Sequence, residues 1–225
     1  MHRLLAFCFS PRHNRTGLLP VFAAAALLAA SVAAHGQFGG PPSTQVHDAS
    51  ALHPPAGARV AIVEFDDMEC PDCAAANPVL RAAAEKYHIP WVRHDFPLPM
   101  HNWSFNAAVY ARWFDTKSKK LGDDYRDAVF ANQRSIEMPV QLVQFTEQFA
   151  RSHGTALPFA VDPQGKLADE VKADRAVGQR IGIDHTPTIW IVTSGSRGAP
   201  YIEVTDWRTQ LYQIIDRALA DTRGR

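Results

Sequence analysis

From residue 58 onward the hydrophobic positions change period in an order that predicts strands alternating with helices. Residues 58–65 are nearly all apolar and carry β-branched Val60, Ile62 and Val63, the pattern of a strand buried on both faces. The alanine-rich stretch 71–87 has helical composition, is ended by His88-Ile89-Pro90, and holds Pro78 where it should kink the helix. Residues 91–96 form a second strand, stopped by Pro97 and Pro99. A strand, helix, strand order implies a right-handed crossover and a parallel pair. Between about 101 and 180 the apolar residues recur at three- and four-residue steps, as in Phe105, Ala108, Val109 and Trp113, which predicts four helices with breaks at 116–121, 135–139 and 152–164. Residues 188–193 and 201–204 read as an antiparallel hairpin across a turn-rich connection, and from Trp207 the residues Leu211, Ile214, Ile215, Ala218 and Leu219 predict an amphipathic terminal helix. The layout is α/β: β-α-β, a helical insertion, then β-β-α.

The first 57 residues break this pattern. Arg3, Arg12, His13 and Arg15 precede an apolar stretch from Leu18 to Ala34 that ends in small residues, which reads as a secretory signal over residues 1–36. Cleavage fits after Ala33 or after Gly36. The stretch is interrupted by Pro20 and is short for a bilayer of roughly 30 Å, so an uncleaved membrane anchor is the alternative. Cys8 precedes the apolar region and follows bulky Phe7, which argues against a lipoprotein. Residues 37–57 are rich in Gly, Pro and polar residues and read as a flexible linker, too short for dimerisation, so a monomer is expected. Residues 58–225 suffice for one domain with a real core. Acidic and basic residues balance at 23 each and no basic run interleaves with aromatics, so nothing suggests a nucleic-acid surface. The expected setting is periplasmic or otherwise extracytoplasmic, and the expected partners are proteins or small molecules.

Of the three cysteines, two form Glu69-Cys70-Pro71-Asp72-Cys73, between the first strand and the first helix. A disulfide across two intervening residues closes too short a loop to remove much chain entropy, so the pair suits exchange better than scaffolding. At a helix N-terminus, unpaired N–H groups and the helix dipole favour a thiolate, which makes Cys70 the nucleophile. Cys73, nearly one turn further in, is the resolving cysteine and needs a proton acceptor. Glu64, a lone carboxylate in an apolar strand, is the candidate, since burial raises its pKa towards neutrality. Pro71 suits the first helical turn. The negative charge of Asp72 should disfavour the neighbouring thiolate and make the site less oxidising than a Cys-Pro-His-Cys site.

In this order of elements, with the cysteine pair ending the first core strand, the chain resembles the thioredoxin superfamily, and its helical insertion resembles the DsbA-like branch. The resemblance runs from about Ala58 to Ala220. It rests on the run from Glu64 to Cys73 with an acid six residues before the first cysteine, on Pro78, on Phe96-Pro97-Leu98-Pro99-Met100-His101, and on His185-Thr186-Pro187-Thr188. The resemblance implies a cis Pro187 packed against the cysteine pair, with Thr186 and Pro187 offering backbone groups to an extended substrate and Thr186 donating a hydrogen bond near Cys70. It implies a disulfide oxidoreductase whose only redox centre is the Cys70-Cys73 disulfide, acting on exported proteins with thiols or disulfides. A membrane reoxidase of the DsbB or vitamin K epoxide reductase type would reload it.

Other readings weigh against these. The run from Met68 to Cys73 also fits the MxCxxC pattern of copper-binding domains, whose sulfur ligands select Cu(I). A redox-idle thioredoxin-like binding module is a third class. Zinc lacks a second ligand pair. Glu69, Asp66 and Asp67 read as a polar rim, His94, His101 and His185 as structural or exposed, and Trp91, Trp103, Trp113 and Trp190 as core or groove wall. Trp207 and Phe105 carry no functional reading.

Overall fold

A computed structural model of the protein describes residues 43–195 and 198–223. The signal read over residues 1–36 lies outside them. The described chain runs β1 (Val60–Asp66), α1 (Pro71–Tyr87), β2 (Trp91–Asp95), α2 (Ser104–Asp115), α3 (Lys119–Asn132), α4 (Pro139–Ser152), α5 (Lys166–Ile181), β3 (Thr188–Thr193), β4 (Tyr201–Glu203) and α6 (Leu211–Thr222). The sheet order is β2-β1-β3-β4. Strand β1 pairs parallel with β2 (Glu64 opposite Arg93) and antiparallel with β3 (Glu64 opposite Ile189), while β3 and β4 form the antiparallel hairpin.

Every residue of β1 is buried, because both of its faces are covered. Alternation along the strand sorts its side chains. Val60 and Ile62 pack under α1 and α6 with Leu80, Ile191 and Ile215, whereas Ala61, Val63 and Phe65 pack on the opposite face with Phe96, Ile181 and Trp190. Glu64 and Asp66 share the parity of Val60 and Ile62 and so belong to the face that α1 covers. The helical insertion has a separate core of Trp103, Phe114, Tyr125, Leu142 and Phe149, which continues without a break to Met68, Cys70 and Cys73. The cysteine pair therefore closes the seam between sheet and insertion.

Two expectations are corrected. Residues 43–57, the described part of the stretch read as a flexible linker, lie packed on the domain: Leu52 is 3% exposed within the core of the outer sheet face, the His47 N–H donates to the Ile181 carbonyl at 2.8 Å, and the Thr44 N–H and hydroxyl both donate to the Glu203 carboxylate. The terminal helix begins at Leu211 rather than near Trp207, because the Asp206 carboxylate accepts from the Arg208 N–H and the Thr209 hydroxyl and holds these residues in a turn. Among the described residues no helix is long and apolar enough to cross a membrane.

Candidate active site

Cys70 is the N-cap of α1, with extended backbone (φ −79°, ψ 122°), and Pro71 occupies the first helical position without sacrificing a useful N–H. Cys70 is 7% exposed and Cys73 fully buried, and both thiols are free. The Cys70 pKa is lowered to about 6, first by the hydrogen bond with Cys73, against the opposing effect of burial, and further by Thr186 and the N–H groups of Cys73 and Asp72. Cys73 is pushed well above the usual thiol range, first by burial, then by the adjacent Cys70 and by the charges of Asp66 and Glu64.

The Thr186-Pro187 peptide is cis. Thr186 meets Cys70 through its main chain: the Cys70 thiol donates to the Thr186 carbonyl at 3.3 Å. The Thr186 hydroxyl, expected to donate near Cys70, is buried and makes no hydrogen bond of ordinary geometry, although it lies close enough to the sulfur to favour its anion.

Glu64 is 1% exposed, and its pKa is pushed up to about 8, chiefly by burial and next by the charge of Asp66, with Arg93 and Trp91 opposing. The Trp91 indole Nε1 donates to Glu64 Oε2 at 2.9 Å, so the residue read as core or groove wall is the hydrogen-bond partner of the buried acid. Arg93 lies over the Trp91 ring and binds Asp66 Oδ2 through Nε (3.1 Å) and Nη2 (2.9 Å).

Asp66, Asp67 and Glu69 are not a polar rim. Asp66 and Asp67 are buried, and each has partners that compensate the loss of water. Asp67 Oδ1 accepts from the Glu69 N–H, and its Oδ2 accepts from the Leu98 N–H and faces His101 Nδ1, both at 2.7 Å. Glu69 Oε2 accepts from the N–H groups of Trp103 and Ser104, capping the start of α2, which has no side-chain cap of its own. From the far side, Gln133 Nε2 donates to the carbonyls of Met68 and Cys70. The Met68 side chain is buried in the core of the insertion.

Asp72 is exposed and reaches Arg208 Nη2 at 3.4 Å, whose guanidinium stacks on Trp207. His94 bonds Asp174 and His185 bonds Asp184, so neither meets the sulfurs through these contacts. Sequence reasoning missed Trp91, His101, Gln133 and Arg208. All four join the site through contacts distant in sequence, and the one available signal was the excess of charge in 91–95, too much for a strand with no polar partner.

Comparison with known proteins completes the picture. A family model described as thioredoxin matches residues 55–197. No curated protein matches the chain in sequence. Among solved structures, α-DsbA1 of Wolbachia pipientis is similar at a TM-score of 0.60 and 15% identity, covering 80% of this chain and 94% of its own. The thiol-disulfide exchange protein α-DsbA2 of the same organism gives 0.50 and 18%, covering 73% and 84%. A periplasmic thioredoxin-like protein from Salmonella enterica serovar Typhimurium gives 0.57 and 18%, covering 74% and 88%. The shared feature is the fold, a thioredoxin-like sheet carrying a helical insertion.

Proposed function

Because the chain belongs to the thioredoxin family through a match spanning residues 55–197, we propose that it is an exported thiol-disulfide oxidoreductase acting through Cys70 and Cys73. One observation carries the reading: Cys70 at the mouth of α1, against the Thr186 carbonyl of the cis-proline loop, with Cys73 buried one turn behind it.

In the oxidising direction a substrate thiolate attacks the Cys70 sulfur of the Cys70-Cys73 disulfide. A mixed disulfide forms, the enzyme S–S bond breaks, and Cys73 leaves as a thiolate that takes up a proton. A second substrate thiolate then attacks the substrate sulfur of the mixed disulfide and expels Cys70. The substrate loses two electrons and the enzyme holds both sulfurs reduced. Glu64, protonated near neutral pH and of lower pKa than Cys73, gives the proton to the departing Cys73 sulfur and takes it back in the reverse reaction. Thr186 and Pro187 present main-chain groups to an extended substrate beside Cys70, and Pro71 and Asp72 form the loop across which it approaches.

A Cys70 pKa of about 6 stabilises the dithiol over the disulfide. It falls between the roughly 3.5 of a strong oxidant and the roughly 7 of a reductase of this superfamily, which supports an intermediate poise. The charge of Asp72 acts against the thiolate and so draws the poise away from that of a strong oxidant. The basic start and apolar stretch of residues 1–36 support export, and cysteine-containing exported proteins are the substrates. A membrane reoxidase of the DsbB or vitamin K epoxide reductase type reloads the disulfide.

Equilibration with glutathione tests this. The native pair should come to a potential that Asp72→His raises, because a negative charge beside the thiolate is lost. Cys70→Ser should abolish the acceleration of disulfide formation in a reduced, unfolded protein. A Cys70→Ser protein that still accelerates it defeats the proposal.

A further inference from the structure

Gln133 stands where the helical insertion meets the redox loop. It opens the single turn of 3-10 helix, Gln133–Ser135, that leads from α3 towards α4, and its side chain reaches back across 65 and 63 residues to the carbonyl oxygens of Met68 and Cys70, at 2.9 Å each. A primary amide has two N–H donors, so the two bonds do not compete. The Cys70 carbonyl also accepts the Ala74 N–H that starts α1, which fills both of its acceptor positions.

The other ties on this loop act elsewhere. Asp67 and Glu69 fasten it to the segment between β2 and α2, but through their own side chains. Apart from the helix's own N–H groups, the Gln133 amide is what holds the main-chain oxygen of Cys70. Two consequences follow for the sulfur. With ψ of Cys70 fixed, the first N–H groups of α1 stay directed at Sγ. The Cys70 carbonyl, held near Sγ by covalent geometry, has a second donor hydrogen beside that of Ala74, which further offsets the negative charge it presents. Both consequences favour the anion.

We propose that Gln133 is a positioning residue for disulfide exchange: its side-chain amide holds the main chain from Met68 to Cys70 so that the N-terminus of α1 faces the Cys70 sulfur. This rests on the reading of Cys70 as the attacking thiolate.

The test uses the full reduced chain, with iodoacetamide modification at position 70 followed by peptide mass spectrometry across pH, together with the glutathione equilibrium. In Gln133→Ala the alkylation profile moves to higher pH and the pair becomes less oxidising by severalfold, because the equilibrium reads only the part of the two bonds that favours the thiolate over the disulfide. Gln133→Glu, which cannot donate and adds a negative charge, moves both further in the same direction. Gln133→Asn keeps a donor one methylene short and falls between wild type and Gln133→Ala. A wild-type alkylation profile and glutathione equilibrium in the Ala and Glu variants, whatever happens to their thermal stability, overturn the proposal. An ordinary thiol profile at Cys70 in the wild-type chain defeats the underlying reading instead.

Discussion

At the scale of single residues, the site is built from groups whose ionisation is set by where the fold holds them. Glu64 is the plainest case. In the unfolded chain its carboxyl titrates near 4.5, and in the folded protein at about 8. A raised pKa means that stability is fully present below the lower value and is lost as pH rises towards the upper one. At pH 7 the buried acid therefore costs the fold on the order of 3 kcal/mol relative to a group that need not ionise. Glu64→Gln keeps an oxygen to accept from the Trp91 indole and has no proton to lose. Urea denaturation of the oxidised form should place the variant level with wild type near pH 4 and well above it near pH 8. The proposed role of Glu64 as proton carrier for Cys73 predicts that the same substitution slows disulfide exchange by on the order of 10²-fold. A variant no more stable than wild type at pH 8 would show that Glu64 ionises freely in the folded state.

At the scale of elements, charge joins apolar packing in fastening the helical insertion to the β2 edge of the sheet, where Val92 and Phe96 already pack with Val177 and Ile181 of α5. Arg112 on α2 donates through Nε to Asp95 of β2 at 2.6 Å and through Nη2 to Asp174 of α5, which in turn accepts from the Asp95 N–H and bonds His94. Arg126 on α3, buried where Arg112 is only partly so, pairs with Asp115 of α2. Such pairs add little over an apolar replacement when whole, but removal of one member leaves a buried charge uncompensated, at a cost of about 3–5 kcal/mol. Arg112→Met should lose that much in urea unfolding, and Arg112→Met with Asp95→Asn should recover a large part of it. Equal losses in the single and double variants would mean that Asp95 finds another partner. This scale also marks the limit of what the sequence reveals. Element order was legible because apolar period is local: the continuous run of β1, the three- and four-residue steps of the insertion, the hairpin of β3 and β4. The placement of the cysteine pair at the start of α1 and the burial of Glu64 were legible because these residues lie within one strand and one helix start. The acids at 66, 67 and 69 were misplaced on a rim because what decides their burial, Arg93, His101 and the N-terminus of α2, is set by tertiary pairing that leaves no periodic trace.

At the scale of the whole molecule, the segment ahead of β1 forms part of the domain. Its composition hides this. Residues 43–57 hold few large apolar side chains, and the segment docks through hydrogen bonds from His47 and Thr44 and one apolar anchor. Gly182 ends α5 with φ +106°, and a Cβ there would stand 2.5 Å from the Gln45 carbonyl, so the arm lies close against the helix end at a position only glycine suits. Leu52, with Val46 and Ala51 beside it, covers the sheet face formed by Ala61, Val63, Phe65 and Trp190, which is also the far side of the strand that carries Glu64. Leu52→Ala should cost about 2–4 kcal/mol in urea unfolding, the range for an emptied core leucine. A chain beginning at residue 58 should lose more, because it also uncovers the sheet face and gives up the bonds to Ile181 and Glu203. The lowered midpoint should come with binding of a hydrophobic dye to the folded form, since the apolar face is then open to solvent. Equal midpoints for chains beginning at residues 39 and 58, with no dye binding, would make the arm an ornament; a difference of several kcal/mol makes it a structural element of the domain that holds the cysteine pair.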